Sequence, residues 1–277
     1  MTGHVTAPAA ALADQLPSWV TLVRADNPGP MTLDGTNTWI LRASTDESGI
    51  IIDPGPADEE HLGRLAGYAP IGLILITHGH PDHVEGARRL SELLGGVHVL
   101  AADPAYCVGT QRLDPLESFA GFGFQIDALD TAGHTRDSVC YLVDRDGDQA
   151  VFTGDTILGR GTTIVAHPDG DLGDYLDSLE LLSAYDGIPA LPGHGPALAD
   201  CAVAARFYLA HRRARLDQVR QALAAGASTP AEVVARVYAD VDPSLRSAAE
   251  WSVRAQLAYL RREDRESEPA AGGLDTP

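Results

Sequence analysis

Residues 77–83 read Thr-His-Gly-His-Pro-Asp-His and come directly after an apolar, β-rich segment. Side chains two positions apart on an extended chain project to the same side, so His78 and His80 can direct two imidazole rings at one point. The proline and the start of a helix then turn the chain, which lets Asp82 and His83 address a second point nearby. This stretch therefore predicts two neighbouring metal positions at the end of an apolar strand.

Three further candidate ligands stand in a similar local setting, each after an apolar strand and a glycine: His134, Asp155 and His194. Glycine lets the backbone turn as the strand ends. The complete set has five histidines, two aspartates and no cysteine, which is about what two metal ions need when one carboxylate bridges them. Imidazole-rich ligation favours two Zn²⁺ ions, although Mn²⁺ or iron also fits these donors.

The charge composition excludes several function classes. Acidic residues number 39 against 20 basic ones, which gives a net charge of −19, and every basic residue is arginine. Without lysine the chain has no Schiff-base residue, no P-loop lysine and no lysine anchor for a substrate carboxylate. The negative charge argues against a protein that coats nucleic acid, although a local basic patch could hold a short strand.

The predicted location is the cytoplasm, with no membrane partner. No apolar stretch approaches the roughly 20 residues that cross a bilayer, and the N-terminal residues lack a basic region before an apolar run, so we expect no secretory signal. The three cysteines are odd in number and lack CxxC spacing, which indicates a reducing compartment. Homo-oligomerisation stays open.

Residues 19 to about 196 alternate short β-rich segments with turns and a few helices. The strands come as a run with helices late in each half, which predicts an α+β fold of two mixed sheets packed together and covered by helices on both outer faces. The predicted strands are 19–23, 38–43, 49–53, 73–77, 97–101, 124–129, 138–143 and 150–153, and the predicted helices are 58–67, 84–94 and 171–184.

From residue 197 onward alanine and arginine dominate, and we predict helices at 199–225, 230–239 and 243–263. Thr229 and Glu232 supply the cap and the third-position acid of the second of these helices. The last residues lack apolar periodicity, which predicts disorder. The predicted division is a catalytic domain at 1–200, a helical domain at 201–265 and a disordered tail at 266–277.

On the predicted helix 199–225, arginines recur every seven residues beside a leucine stripe. Their stems can pack against the core while their heads reach water, or they can form a rail that holds a polyanion. These arginines are Arg206, Arg213 and Arg220.

The ordered set of seven candidate ligands resembles that of the metallo-β-lactamase superfamily, over about residues 15–200. The resemblance implies an αββα sandwich with a dinuclear zinc site at one edge between the sheets. It implies a first metal held by His78, His80 and His134, a second held by Asp82, His83 and His194, and a bridging Asp155.

Residues 27–39, 152–159 and 191–196 are similar to the β-lactamase-like protein 2 family. That family carries a C-terminal winged-helix-like domain and is associated with cleavage of single-stranded RNA. The resemblance therefore implies an endoribonuclease-like hydrolase that cleaves phosphodiester bonds with a metal-bound hydroxide, in which Asp82 and Asp155 are the catalytic carboxylates. No general acid for the leaving group can be assigned.

Other functions compete with RNA cleavage. The THxHxDH pattern also resembles that of glyoxalase II, which implies a thioester hydrolase and a small anionic ester or thioester as substrate. A weak β-lactamase is only a minor alternative. Such enzymes often use a lysine to hold the carboxylate of the drug, and this chain has no lysine. A metal-stabilised regulator that binds nucleic acid would tolerate lost ligands, and here none is lost.

Five residues outside the ligand set are candidate substrate contacts. Each also has a structural interpretation, such as a turn for the asparagine, a helical position for the tyrosine and a surface position for the others. They are Asn37, Arg136, Arg160, His167 and Tyr175.

Overall fold

The computed structural model describes residues 16–45, 47–110, 117–239 and 245–267. Within these ranges, ten strands form two sheets of five strands each. The first sheet has the order β1-β2-β3-β4-β5 and contains Val20–Arg24, Asn37–Leu41, Gly49–Ile52, Ile71–Leu75 and His98–Leu100. The second has the order β10-β9-β8-β7-β6 and contains, from β6 to β10, Ser118–Gly121, Phe124–Asp130, Val139–Arg145, Asp148–Gly154 and Ala190–Pro192.

Strand direction brings several loops to one edge of the two sheets. In the first sheet β3, β4 and β5 run parallel, whereas β1 to β3 are antiparallel. In the second sheet β9 and β10 run parallel, and β7 shares their direction because β8 is antiparallel to both β7 and β9. The carboxyl ends of β7, β9 and β10 therefore lie at the same edge of their sheet.

Helices cover both outer faces of the sandwich. In chain order, α1 to α7 are Glu59–Ala66, Pro81–Val84, Ala87–Leu93, Leu172–Leu182, Cys201–Ala224, Pro230–Val237 and Arg246–Ser267. On the first sheet, Ile51 and Ile74 pack against apolar side chains of α1 and α3. On the second, Cys140 and Val151 pack against α4 and α5. The predicted αββα layering is confirmed.

The two sheets meet over an apolar core that contains aromatic rings from both. Trp39 of β2 contacts Phe152 of β9, with ring centroids 6.1 Å apart in an edge-on arrangement. Trp19 lies 6.3 Å from the same phenylalanine. All three rings are buried, so the contact joins the first sheet to the second within the core.

Most predicted elements are present, with strand ends shifted by no more than two residues. The short strands β6 and β10 were not predicted, and Pro192 in β10 is a residue that usually argues against a strand. The predicted helix 84–94 is wrong, because it is divided into α2 and α3. The Gly86 N–H donates to the carbonyl of Gly55 at 2.9 Å instead of continuing the helical ladder.

The C-terminal helices continue the outer layer of the second sheet. Helix α5 shares one apolar cluster with α4, β8 and β9. Because this core continues across residue 200, the predicted domain boundary there stays a prediction. The capping box of Thr229 and Glu232 begins α6, as predicted. Helix α7 includes residues 266 and 267 of the predicted tail, and the rest of that tail lies outside the described residues. Among the helices described, none has the length and apolarity to cross a membrane.

We expect Phe152→Ala to lower the free energy of unfolding by ~3–5 kcal/mol, because it removes a fully buried ring and leaves a cavity between the sheets. Urea unfolding followed by circular dichroism, with a chelator present, measures this loss without a contribution from bound metal. Tyr68→Ala, at a ring that is 38% exposed, is the control and should change stability by less than ~1 kcal/mol. Equal effects of the two changes would contradict the proposed role of the inter-sheet contact.

Candidate metal centre

All seven predicted ligands meet at the sheet edge. His78 and His80 follow β4, Asp82 and His83 lie in α2, and the remaining three follow β7, β9 and β10. Three groups of side chains each offer ligand atoms that lie within 4.8 Å of one another. The groups are His78, His80 and His134; His78, His83 and Asp155; and Asp82, His83 and His194.

The first group is held together at short distances. His80 Nδ1 lies 3.0 Å from His78 Nε2 and 3.1 Å from His134 Nε2. In the other outer group, His194 Nε2 lies 3.2 Å from His83 Nε2 and 3.1 Å from Asp82 Oδ2. Five imidazoles and a carboxylate therefore point their ring nitrogens and oxygens at two adjacent positions.

Asp155 stands between these groups. Its Oδ1 lies 3.5 Å from His83 Nε2, and its Oδ2 lies 3.8 Å from His134 Nε2 and 3.5 Å from His194 Nε2. Oδ1 is buried and has no hydrogen-bond partner among the described residues. A buried acceptor without a partner is costly, and a cation between the histidines would satisfy it. The donor set thus fits divalent metal ions.

The other ring nitrogens of these histidines are held by the surrounding protein. His134 Nδ1 lies 2.7 Å from the Ile164 carbonyl, and His194 Nδ1 lies 3.2 Å from the Gly35 carbonyl. Such contacts fix the orientation of each ring and direct the opposite nitrogen, Nε2, toward a metal.

Asp53 is a functional residue that the sequence analysis missed. Its Oδ2 lies 2.8 Å from His83 Nδ1 and accepts the Thr77 hydroxyl at 2.7 Å, while its Oδ1 accepts the Thr77 N–H at 2.8 Å. The carboxylate is buried at the end of β3. A signal was present, because Asp53 ends an apolar strand and precedes Pro-Gly, much as the predicted ligands end theirs.

Burial and neighbouring charges set the protonation of the cluster. Burial would lower the pKa of His83, but the carboxylates of Asp155, Asp53 and Asp82 raise it to about 10. Burial holds the pKa of His134 at about 4, with the Asp155 carboxylate opposing it. Burial would raise the pKa of Asp82, but the hydrogen bond from His194 and the charge of His83 keep it well below its usual range. His134 is therefore neutral and Asp82 ionised, the forms that bind metal, whereas His83 is protonated and would release its proton when a metal binds.

The predicted substrate residues are placed differently from one another. Arg160 lies at the rim of a cavity beside the metal ligands and forms a bidentate ion pair with Asp34, in which the Nη2–Oδ1 distance is 2.7 Å. Arg136 is exposed and lines a smaller pocket next to His80. The structure brings both arginines near the site.

The other three candidates do not reach the cavity. The buried Asn37 amide donates to the carbonyls of Pro192 at 3.0 Å and Gly195 at 2.8 Å, so it holds the loop that carries His194. Tyr175 is fully buried, and its hydroxyl donates to the Thr156 carbonyl at 2.7 Å. His167 is exposed and lies outside the cavity lining.

A cavity of about 550 Å³ opens between the sandwich and the C-terminal helices, with His134 and Asp155 in its wall. Most of the remaining wall is apolar and includes Pro30, Met31, Leu33, Leu158, Ile164, Ala248 and Ala249. Helix α5 contributes three cavity-lining polar side chains: His211, Arg212 and Arg215.

The predicted arginine rail does not line this cavity, and its charges are paired. Arg206 lies 2.6 Å from a carboxylate oxygen of Asp186, and Arg213 lies 2.6 Å from one of Glu180. Arg220 is paired with both Asp217 and Glu263, at 2.9 and 2.7 Å. Their heads therefore bind neighbouring acids at the protein surface, which favours the surface interpretation of these arginines over the polyanion rail.

Residues 31–194 match the family model of the metallo-beta-lactamase superfamily. Residues 229–268 match that of the beta-lactamase associated winged helix domain. The chain therefore belongs to the metallo-β-lactamase superfamily and is a hydrolase with a C-terminal winged-helix domain. The fold and family predicted from the motifs are confirmed.

Relatives and solved structures agree with this assignment. The chain is 31% identical over 267 residues to the β-lactamase-like protein 2 homolog of Caenorhabditis elegans, covering 90% of this chain and 86% of the relative. It is 31% identical over 239 residues to the atrochrysone carboxyl ACP thioesterase of Passalora fulva, covering 81% and 69%. A β-lactamase domain protein from Burkholderia ambifaria shares the fold, with a TM-score of 0.77, 23% identity, and 94% and 95% coverage.

We expect Asp53→Asn to weaken metal binding by ~10–100-fold, because His83 loses the carboxylate that orients its ring. Competition with a chromophoric chelator measures the affinity. Asp177→Asn removes an exposed carboxylate of α4 and should leave the affinity unchanged. A wild-type affinity in the Asp53 variant would contradict this role.

Proposed function

We propose that this protein hydrolyses acyl thioesters with two divalent metal ions, which are Zn²⁺ in the first instance. Thioester hydrolysis is the alternative to RNA cleavage that the sequence analysis gave. The observation that carries the proposal is the largely apolar cavity with metal ligands in its wall. An apolar cavity of this size suits the acyl part of a small organic substrate. A chain of phosphates is bound mainly by rows of cationic side chains, whereas here three arginines share the wall with a larger number of apolar residues.

The ligand groups define which residues would hold each ion. His78, His80 and His134 would hold the first, Asp82, His83 and His194 the second, and Asp155 would contact both. When bound, such a pair supplies a water activated near neutral pH and a Lewis acid for the substrate carbonyl oxygen.

The protein side chains orient the reacting groups. The apolar wall binds the acyl chain and excludes water beside His134 and Asp155. The Asp82 side chain is 27% exposed, so its carboxylate can accept a hydrogen bond from the attacking water while it stays 3.1 Å from His194. The Asp155 side chain is more enclosed than that of Asp82, and its role is to hold the metal ions.

The leaving group also favours a thioester. A thiol has a pKa of about 8.5, so thiolate can leave without a proton donor. The alkoxide released from RNA is far more basic and gains from a general acid. Among the described cavity-lining residues, the titratable imidazole outside the ligand set is His211, and burial lowers its pKa to about 4. It is neutral at pH 7 and is a poor acid for an alkoxide.

Cleavage of single-stranded RNA is the second candidate. The similarity to the β-lactamase-like protein 2 homolog over 90% of this chain favours it, together with the association of that family with RNA cleavage. We also propose a cytoplasmic location for either activity, since all three cysteines are free and two of them are buried.

One experiment separates these candidates. The Zn²⁺-loaded protein is assayed on an N-acetylcysteamine acyl thioester, a single-stranded RNA oligomer and a chromogenic lactam, each with and without a chelator. We expect thioester hydrolysis that the chelator abolishes. RNA cleavage without thioester hydrolysis would establish the second candidate instead, and chelator-resistant activity would contradict both.

Asp155→Ala should reduce hydrolysis of the preferred substrate to background while the circular dichroism spectrum is retained, because the apolar core does not include this side chain. Elemental analysis should show metal loss in the same variant. Asp177→Asn is the matched control and should retain both activity and metal. Full metal content with normal turnover in the alanine variant would refute the assignment.

The apolar wall makes a separate prediction. Ala249→Leu adds bulk from α7 to the cavity, and we expect the preference for an octanoyl over an acetyl thioester to fall by ~10–100-fold, since a methylene in such a pocket changes specificity by that order. The measurement is the ratio of kcat/KM for the two substrates. Ala231→Leu, at an exposed position of α6, should keep the wild-type ratio. An unchanged ratio in the Ala249 variant would place the acyl chain elsewhere.

A further inference from the structure

Unpaired buried polar atoms concentrate around the cavity. Four buried side-chain nitrogen and oxygen atoms have no hydrogen-bond partner within the described ranges: Asp155 Oδ1, His211 Nδ1, Arg212 Nε and Gln256 Oε1. Three of these four residues line the cavity. Bound metal ions would account for Asp155, but they would not account for the two residues of α5.

Arg212 is a buried cation whose described neighbours include no carboxylate. The residue is 4% exposed. Its Nη2 donates to the Thr163 carbonyl, and its guanidinium carbon lies 5.1 Å from the ring centroid of Tyr175. A carbonyl and an aromatic face compensate a buried positive charge only in part, and the desolvation penalty of such an ion is several kcal/mol.

Arg215 repeats this pattern one turn further along α5. Its Nη1 donates to the Val237 carbonyl at 3.0 Å and to Gln218 Oε1 at 2.8 Å. Its guanidinium carbon lies 4.8 Å from the ring centroid of Tyr238. The arginines of the same helix that face away from the cavity, such as Arg213, have carboxylate partners instead. Among the described residues, the α5 arginines that lack a carboxylate partner are thus the two in the cavity wall.

We propose that Arg212 and Arg215, assisted by His211, bind a negatively charged oxygen group of the substrate inside the cavity. The inference rests on the proposed function and deepens it: the substrates are acyl thioesters that carry an anionic group in addition to the thioester. The apolar wall binds the carbon skeleton, and the anion supplies a counter-charge that the described residues do not provide at this point.

Thr163 places this anion site close to the metal ligands. Its carbonyl accepts the Arg212 bond, and its hydroxyl lies 3.3 Å from His134 Nδ1. One residue therefore separates the guanidinium from a metal ligand. The charged group can be a carboxylate on the acyl chain or a phosphate on the thiol carrier, and both present the oxygen anions that guanidinium groups bind.

The first test measures binding without hydrolysis. Octanoate and octanamide, which share an apolar chain and differ in charge, are titrated into chelator-treated protein by calorimetry. We expect octanoate to bind more tightly than octanamide, and Arg215→Gln to weaken octanoate by ~10–100-fold, the range for a hydrogen bond to a charged group. Arg213→Gln, two positions away and facing Glu180, is the matched control and should bind octanoate as the wild type does.

Equal affinities for octanoate and octanamide, or equal weakening by Arg213→Gln and Arg215→Gln, would overturn the anion site. Arg212→Gln is tested in parallel. If this variant does not fold because it loses the contact with the Thr163 carbonyl, Arg215→Gln still tests the proposal. Because no metal is present, this result does not depend on thioester hydrolysis.

The second test locates the charge on the substrate. Three thioesters are compared with Zn²⁺-loaded wild type and Arg215→Gln: hexanoyl-N-acetylcysteamine, adipyl-N-acetylcysteamine, which adds a terminal carboxylate, and hexanoyl-coenzyme A, which adds phosphates on the thiol side. A fall of ~10–100-fold in the kcat/KM ratio of adipyl to hexanoyl places the anion on the acyl chain. The same fall for the coenzyme A ester places it on the thiol carrier.

Unchanged ratios for both charged esters would overturn the proposal. If the wild type hydrolyses none of the three, while octanoate still binds in an Arg215-dependent manner, the thioesterase function fails and the anion site stands. The two failures are thus distinguishable.

Discussion

The hydrogen bonds of the Asp53 carboxylate hold the metal centre in place. The carboxylate directly follows β3, accepts both the N–H and the hydroxyl of Thr77, two residues after β4, and meets His83 on α2. Three separate chain segments are joined by one buried side chain. Without it, the loop that carries most of the ligands would keep backbone hydrogen bonds such as Val139 N–H to the Thr77 carbonyl and Gly55 N–H to the His83 carbonyl, but it would lose the side chain that joins all three segments.

The second sheet is joined to this arrangement by glycines that allow close contact. A Cβ on Gly154 would lie 2.6 Å from Thr77 Oγ1, and one on Gly193 would lie 2.6 Å from His83 Cε1 and 2.7 Å from Asp155 Oδ1. Both positions directly precede a ligand. The glycines therefore do more than turn the chain at strand ends, because they allow the ligands of the second sheet to approach those of the first.

The sequence predicted which seven side chains meet at the sheet edge, because their signal is local. Each ligand is a histidine or aspartate just after an apolar strand or within a short motif, and parallel strands bring such positions to one edge. The substrate contacts depended on tertiary packing, so they were harder to predict. Tyr175 shares α4 with exposed residues, and only the packing of α5 over it shows that it contacts Arg212 and not the cavity.

In helix α5, too, tertiary packing decides the role of individual residues that the sequence alone does not distinguish. Successive residues of a helix point about 100° apart, so Arg212 and Arg213 face opposite environments: one is buried over Tyr175, and the other is exposed beside Glu180. The seven-residue period of the arginines identified a stripe, but periodicity does not tell which stripe faces a cavity. The candidate metal ligands lie on the sandwich, and much of the cavity wall lies on the helices that follow it. A buried guanidinium without a carboxylate partner among the described residues lowers stability, and its retention at that junction is understandable if a counter-charge arrives with the substrate.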